Sequence, residues 1–390
     1  MIELFSSPEL WGLALLGTTL GITVGAIPGL TGMMLIALSL PLTFTMEPTS
    51  GLVLLVAMYV GAVSGGLISA TLLRMPGTPA AVMTTLDGYP MASGGRPGRA
   101  LGLGVGASLV GGLVSWLALW QLSEPMADWS TKLGPFELFS LVALALALLA
   151  GVGETTRARG LLAGGLGVLA AMPGMHPATG ELRWTFGQTE MNEGFRLIPV
   201  LIGMFAIGKI LEDLMNKGEE VETVSGDDSP FVSLRTWKKQ LVNLLRSSGI
   251  GTLVGVLPGV GANIGSLAAY VSAKRASQSP EEFGKGSEEG IVAAESANNA
   301  TVGGALIPLI ALGIPGSVIG AVLLGALIFH GLIPGPLLFR QNPEAVHAIV
   351  GTVLVANLMM YVIMLCGARW IARLSIIPKK ILLPIVAASC

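Results

Sequence analysis

Long stretches without a single Asp, Glu, Lys or Arg dominate the chain: residues 10–46, 48–73, 100–123, 248–273, 296–339 and 345–368. Most of these stretches are as long as the roughly 20 apolar residues a helix needs to cross a bilayer. A water-soluble protein of this size would need polar outer faces on its helices, and these blocks leave little room for them. The hydrophobic runs predict segments near 10–26, 32–46, 51–73, 76–86, 100–122, 135–151, 160–172 and 196–211, then 240–257, 262–273, 290–312, 317–332, 345–368 and 374–388. Four of them, 32–46, 76–86, 262–273 and 317–332, are too short to cross alone and read as half-helices or re-entrant pieces. The fold class expected is all-α, a polytopic membrane transporter with two inverted-topology repeats and broken or re-entrant helices.

The repeat is carried by one device that occurs twice. Gly25-Ala26-Ile27-Pro28-Gly29-Leu30-Thr31-Gly32 is followed 230 residues later by Gly255-Val256-Leu257-Pro258-Gly259-Val260-Gly261-Ala262. A Pro-Gly-hydroxyl triplet follows each, Pro76-Gly77-Thr78 and then Pro315-Gly316-Ser317. Between the halves lies the most polar stretch, 212–239, with Glu212, Asp213, Lys217, Glu219, Glu220, Glu222, Asp227 and Asp228. The organisation expected is a first unit over 1–211, a linker over 212–239 and a second unit over 240–390. The second unit is shorter and lacks counterparts of 160–172 and 196–211, so it is either asymmetric or incomplete at its C-terminal end.

Composition sharpens this reading. Only 12% of the 390 residues are charged, against about 25% in soluble domains, and the mean hydropathy is +0.74. A net charge of −2 gives no general attraction to nucleic acid. Cys366 and Cys390 and three scattered histidines offer neither a disulfide framework nor a zinc site. Glu3 and Glu9 stand where a signal peptide would carry positive charge, so the first helix is expected to remain in the membrane. Basic pairs at Arg96/Arg99 and Lys379/Lys380 are assigned to the cytoplasmic side. The 54 glycines and 23 prolines imply many helix breaks. Broken backbone at membrane depth is costly unless protein or a wet cavity surrounds it.

The breaks are the candidate chemistry. At Pro28, Gly29, Thr31 and Gly32 one helix can end and another begin. The new start offers free N–H groups and positive dipole to a carboxylate, and the old end offers carbonyls to Na⁺. Pro258, Gly259, Gly261 and Asn263 repeat the logic with an amide. Pro76, Gly77 and Thr78, and Pro315, Gly316 and Ser317, place a hydroxyl where it can cap a helix or meet a ligand. Arg74 lies just before the second break, where an arginine needs an anionic partner, from substrate or protein. Glu295 and Asn299 share a helix face, with Asn298 and Thr301 beside it, forming an oxygen set suited to coupling Na⁺ or, through Glu295, protons. The bland alternatives are packing kinks for the Pro-Gly pairs and helix capping for the Glu295 cluster. Asp87-Gly88-Tyr89-Pro90 reads as a turn after a re-entrant segment, its acid structural in the first reading and coupling in the alternative. Trp11, Trp116, Trp120, Trp129 and Trp184 are expected to pack or lie at the interface.

These residues resemble the large membrane subunit of the tripartite tricarboxylate transporters. The resemblance is carried by Phe283-Gly284-Lys285-Gly286-Ser287, by Glu295-Ser296-Ala297-Asn298-Asn299 through Gly304, by Ile314-Pro315-Gly316-Ser317, and by His330 to Pro336. Gly25 to Gly32, Asp87 to Met91 and Thr185-Phe186-Gly187 are further landmarks, and nearly the whole chain is covered. The resemblance implies a bacterial inner-membrane permease that couples carboxylate uptake to an ion gradient, typically Na⁺. It also implies a periplasmic solute-binding protein and a small membrane subunit of four helices as partners, and it is compatible with a homo-oligomer. Arg74 stands where members often have Asn, Thr31-Gly32-Met33-Met34 replaces a Gly-Pro-Thr type of run, and Lys209 stands where an acid is common. Members are also longer at the C-terminus.

The sequence therefore points to binding-protein-dependent secondary transport of a tri- or dicarboxylate, with no cofactor beyond a coupling ion. A passive carboxylate channel and a non-transporting scaffold or sensor are the alternatives. A membrane enzyme is disfavoured because no nucleophile is paired with a base, and ATP-driven transport because no phosphate-binding loop is present.

Overall fold

A computed structural model describes residues 7–152, 157–176, 179–215, 224, 226 and 228–374. Residues 375–388 of the last expected segment, Lys379/Lys380 among them, and residues 216–223, 225 and 227 of the expected linker lie outside the described residues. The described chain is helical apart from a two-stranded hairpin, β1 (Gly174–Met175) and β2 (Leu182–Arg183), paired antiparallel with Gly174 opposite Arg183. The first set of helices is α1 (Pro8–Ala26), α2 (Gly32–Thr43), α3 (Pro48–Leu72), a 3₁₀ turn (Pro79–Ala81) running into α4 (Val82–Ser93), and α5 (Pro97–Ser130). Then come α6 (Pro135–Val152), α7 (Arg157–Ala170), α8 (Leu197–Ile202), a π turn (Gly203–Ile207) and α9 (Gly208–Met215). The second set is α10 (Leu234–Val256), α11 (Gly261–Ala276), α12 (Glu288–Leu312), α13 (Val318–Phe329), α14 (Pro336–Gln341) and α15 (Pro343–Leu374). Helix starts follow the sequence closely: Pro8, Pro48, Pro97 and Pro343 all occupy the first helical position, where a missing N–H costs nothing.

Among the described residues, four helices, Pro8–Ala26, Pro48–Leu72, Pro97–Ser130 and the Pro343–Ala368 part of α15, are long and apolar enough to cross a membrane. The protein is thus an all-α polytopic membrane protein. The four expected short pieces are short helices, α2, α4, α11 and α13. Three expectations need correction. Asp87-Gly88-Tyr89-Pro90 is not a turn but lies inside α4, with Pro90 late enough that the helix runs only to Ser93. Residues 234–239 of the expected linker already belong to α10, whose start is capped by the Ser233 hydroxyl accepting from Thr236 N–H at 3.3 Å. Segment 196–211 is divided by the π turn at Gly203–Ile207.

Two 25-residue helices form the centre. Every residue of α3 from Ser50 to Leu72 is buried, as is every residue of α12 from Gly290 to Ala311. Helix α1 lies against α3 and α10 against α12, while α5 crosses to α12 and α15 to α3. Helices α6 and α7 pack chiefly on each other and turn Phe136, Phe139, Leu161, Leu162 and Leu166 outward, as lipid-facing helices do.

The duplication seen in sequence is repeated in packing, contact by contact. A Cβ on Gly21 would strike the Met58 carbonyl, and one on Gly251 the Ala297 carbonyl. Gly25 meets the Ala62 carbonyl, and Gly255 the Thr301 carbonyl. Gly65 meets Ile22, and Gly304 meets Thr252. Gly77 presses on the Gly25 carbonyl, and Gly316 on the Gly255 carbonyl. In every pair the α1 and α10 residues are 230 apart, and the partners, from α3 and α12 or the triplets after them, 239 apart. Each half therefore builds the same close helix crossing, which only glycine allows because the backbones touch.

Candidate functional site

All four sequence-predicted breaks are real interruptions of helix. Helix α1 ends at Ala26, and Ile27 is extended (φ −88°, ψ 114°). Gly29 follows at φ 97°, a left-handed angle that suits glycine. Gly259 (φ 74°) and Gly261 (φ 73°) do the same after α10. Helix α12 stops at the left-handed Gly313, whose N–H returns to the Leu309 carbonyl at 3.1 Å.

The four new helix starts fall into two kinds. Thr31 caps α2 by accepting from Met34 N–H at 3.2 Å, and Ser317 caps α13 by accepting from Gly320 N–H at 3.1 Å. Thr78 does not cap the turn that it precedes, and α11 follows Val260 without any side-chain cap. The Thr78 half of the expected capping pair is thus corrected. The breaks also meet crosswise. Helix α2 packs on α13, where Gly32 approaches Ile319, and Tyr59 of α3 bonds Ser317 at 3.1 Å. Helix α11 packs on the Pro79–Ala81 turn and on α4. The helix that follows each Pro-Gly break therefore packs on the segment that follows the Pro-Gly-hydroxyl triplet of the other half. One junction is capped, and the other brings together two helix starts without a side-chain cap among the described residues; Pro79 has no N–H and Ala81 N–H returns to the Thr78 carbonyl at 3.0 Å, which leaves Ala80 and the first turn of α11 as the donors.

Arg74 and Pro76, between α3 and the Pro79–Ala81 turn, are exposed while Gly77 is buried. Arg74 adopts φ 56° and holds its guanidinium 5.6 Å from the Tyr89 ring centroid on α4. It makes no ion pair among the described residues. Asn263 is exposed on the first turn of α11, beside half-buried Pro258 and Gly259.

Helix α12 carries a buried polar cluster that joins both halves. Thr84 of α4 donates to Glu295 Oε1, and Ser108 of α5 donates to Glu295 Oε2 at 3.2 Å. Asn299 Nδ2 donates to Ser108 Oγ at 2.7 Å, and Asn299 Oδ1 accepts from Ser64 of α3 at 2.6 Å. Thr301 donates to the Asn298 carbonyl at 2.6 Å. Glu295 is wholly buried mid-helix, while Ser287 caps α12, so the capping alternative for this cluster is excluded. Sequence reasoning missed Thr84, Ser108 and Ser64, lone hydroxyls in apolar runs whose only signal was polarity without a surface to face.

Asp87 has the structural role expected of it. Its Oδ1 accepts from the N–H groups of Gly284 (2.8 Å), Gly286 (3.0 Å) and Ser287 (2.8 Å), and its Oδ2 from the Tyr270 hydroxyl (2.8 Å). The acid of α4 thereby fastens the glycine loop that leads into α12. Trp116 packs as expected, donating to the Val350 carbonyl at 3.1 Å and stacking on Trp120. No group of three or more His, Cys, Asp or Glu able to hold a metal occurs among the described residues.

Comparison with known proteins matches residues 12–390 to the family model described as Tripartite tricarboxylate transporter TctA family. An uncharacterised 52.8 kDa protein of the TAR-I ttuC' 3' region of Agrobacterium vitis is 34% identical over 373 residues, which is 95% of this chain and 74% of that protein. An uncharacterised protein of the TAR-II ttuC' 3' region of the same organism is 38% identical over 137 residues, 35% of this chain and 56% of that protein. No solved structure matches.

Proposed function

From the premise that this chain belongs to the tripartite tricarboxylate transporter TctA family, a family of bacterial inner-membrane permeases for carboxylates and not of enzymes, we propose that it takes up a tri- or dicarboxylate handed over by a periplasmic binding protein. A small membrane subunit completes the assembly, and a Na⁺ or proton gradient drives it. The carboxylate sits at the junction of α11 with the Pro79–Ala81 turn. The observation that carries this reading is the pairing of two uncapped helix starts, one from each half. Their N–H groups and dipole ends favour an anion, which neither side chains nor lipid supply. Asn263, exposed on the first turn of α11, extends the site with an amide; the Arg74 guanidinium, held over Tyr89 late in α4, is set back from it.

The cluster on α12 supports coupling. Glu295 is tied to Thr84 on α4 and to Ser108 on α5, so a change in its charge or in a nearby cation bears on the helix that follows the uncapped turn. The two halves are inverted repeats, and rocking of one against the other exposes the junction alternately to each side of the membrane. The glycine crossings support this, because they make each half a close-packed unit.

The test is uptake of radiolabelled carboxylates into proteoliposomes holding this chain, the small subunit and the binding protein, under imposed Na⁺ or proton gradients. Saturable accumulation that needs both gradient and binding protein is expected. Accumulation that survives collapse of both gradients removes the coupling; flux that rises linearly with substrate and ignores the binding protein favours a channel.

A further inference from the structure

The matched halves differ at one telling pair. By the repeat, Tyr59 of α3 corresponds to Asn298 of α12, and Ser317 corresponds to Thr78, each 239 residues apart. In one half the long tyrosine reaches across, and its hydroxyl closes on Ser317 Oγ at 3.1 Å. In the other the shorter asparagine leaves both partners unsatisfied. Asn298 Oδ1 and Thr78 Oγ1 are buried polar atoms without a hydrogen bond. Such atoms are rare in a folded interior and ask for an explanation.

The amide orientation of Asn298 is fixed. Its Nδ2 donates to the Val63 carbonyl at 3.4 Å, and a carbonyl can only accept, so the free atom is the oxygen. Thr78 lies one turn further along the same face of α3, where a Cβ on Gly66 would come 2.7 Å from its Oγ1. Three residues of helix rise about 4.5 Å. The Gly25 carbonyl at the end of α1 lies against Gly77, next to Thr78, and has no acceptor role among the described hydrogen bonds. Helix-end carbonyls of this kind lack an intrahelical donor. The Asn298 amide at Val63, the Thr78 hydroxyl at Gly66 and the Gly25 carbonyl beside Gly77 thus all border the Ala62–Gly66 turn of α3, with only one hydrogen, that of Thr78, to share.

We propose that Asn298 Oδ1, Thr78 Oγ1 and the Gly25 carbonyl form a Na⁺ site, and that its counterpart in the other half is closed by the Tyr59–Ser317 hydroxyl pair. All three oxygens are hard ligands, as an alkali or alkaline-earth cation requires, and none carries charge, which suits a monovalent ion better than Ca²⁺ with its carboxylates. The site takes Asn298 from the oxygen set read from sequence but not Glu295 or Asn299, whose side-chain oxygens already accept from Thr84, Ser108 and Ser64. It also adjoins the uncapped turn that begins at Pro79, so a cation held by Thr78 would order the carboxylate junction. That last role rests on the proposed function; the site itself does not.

The test is thermal unfolding of the purified chain in detergent, titrated with NaCl against choline chloride at constant ionic strength, without any carboxylate. A ligand bound by the folded state raises stability in a saturable manner. The wild type is expected to show such a rise with Na⁺ and not with choline. Thr78→Val should raise the half-saturating Na⁺ concentration at least tenfold. Thr78→Ser and Tyr59→Phe should leave it within about twofold, and Asn298→Asp, which keeps the oxygen and adds charge, should lower it. Binding of radioactive Na⁺ to Thr78→Ser and Thr78→Val provides the same comparison should either variant unfold too early for a melting curve. No saturable Na⁺ effect in the wild type, or a wild-type half-saturation in Thr78→Val, overturns the site. An effect of Tyr59→Phe as large as that of Thr78→Val overturns the asymmetry. Na⁺ binding without carboxylate uptake leaves this site standing and sinks the transport reading; proton-driven uptake without Na⁺ binding does the reverse.

Discussion

Gly77→Ala probes the close crossing on which the breaks depend. A Cβ at this position would overlap the Gly25 carbonyl and come within 2.6 Å of Ser69 Oγ. The serine can rotate, but the carbonyl is backbone at the end of α1 and can move only with that helix end. Gly77 has no left-handed φ, so the effect of a methyl group is steric alone. Overpacking of this kind costs about 1–3 kcal/mol. Gly164, on the exposed face of α7, has nothing within 4 Å of a Cβ. Alanine there is expected to gain about 0.5–1 kcal/mol from the lower backbone entropy of the unfolded chain. The two variants should therefore differ by about 1.5–4 kcal/mol, combining these costs. The assay is thermal and denaturant unfolding of both proteins in the same detergent, read by tryptophan fluorescence. Gly316→Ala should behave as Gly77→Ala does, since it meets the Gly255 carbonyl at 2.6 Å and Ala305 Cα at 2.8 Å. Equal stability of Gly77→Ala and Gly164→Ala would refute the reasoning, because it would mean that the first and second breaks are not in contact.

Other expectations follow from the same contacts. Asp87→Ala leaves three N–H groups and the Tyr270 hydroxyl without their acceptor; at about 1–3 kcal/mol for each unsatisfied group it should be among the most damaging single changes, measured as loss of folded protein in detergent. Glu295→Gln keeps one acceptor oxygen and presents an NH2 to the other hydroxyl, which can turn to accept, so the variant should fold, yet lose concentrative uptake while retaining exchange; normal accumulation would remove Glu295 from coupling. Asn263→Ala should raise the KM for the carboxylate about 2- to 10-fold with unfolding unchanged, as expected for one hydrogen bond of about 0.5–1.5 kcal/mol, and an unaltered KM would place Asn263 outside the site. Asn299→Ala strips partners from Ser64 and Ser108 and should destabilise by about 1–3 kcal/mol, whereas Asn299→Ser should recover part of that loss.

Much of the fold was legible because its signals are local. Uncharged runs gave the long helices, and proline and glycine gave the breaks at Pro28-Gly29, Pro258-Gly259 and Pro315-Gly316 within a few residues. The 230-residue repeat gave the duplication itself. What was not legible depends on which helix lies beside which. Nothing local says that α2 would pack on α13 and α11 on the Pro79 turn, so the division into capped and uncapped junctions could not be read in advance. Asp87-Gly88-Tyr89-Pro90 has the composition of a turn, yet the carboxylate is held by N–H groups almost two hundred residues away and the helix continues around it. Ser64, Thr84 and Ser108 look like incidental hydroxyls until Glu295 and Asn299 are placed against them. Thr78 and Ser317 look alike in sequence; one finds a tyrosine across the gap, and the other faces an unpaired amide oxygen.

The central claim, that a carboxylate passes through the junction of the broken helices, is tested most directly by cysteine accessibility. In a Cys366→Ser, Cys390→Ser background, single cysteines at Asn263 and Thr31 are labelled with a membrane-impermeant maleimide from either side, with and without a panel of carboxylates and Na⁺. The account expects Asn263→Cys to be labelled from both sides in turn and to be protected by a transported carboxylate, while Thr31→Cys, at the capped junction, is protected far less. Labelling of Asn263→Cys from one side only, unmoved by every carboxylate and by Na⁺, would contradict it.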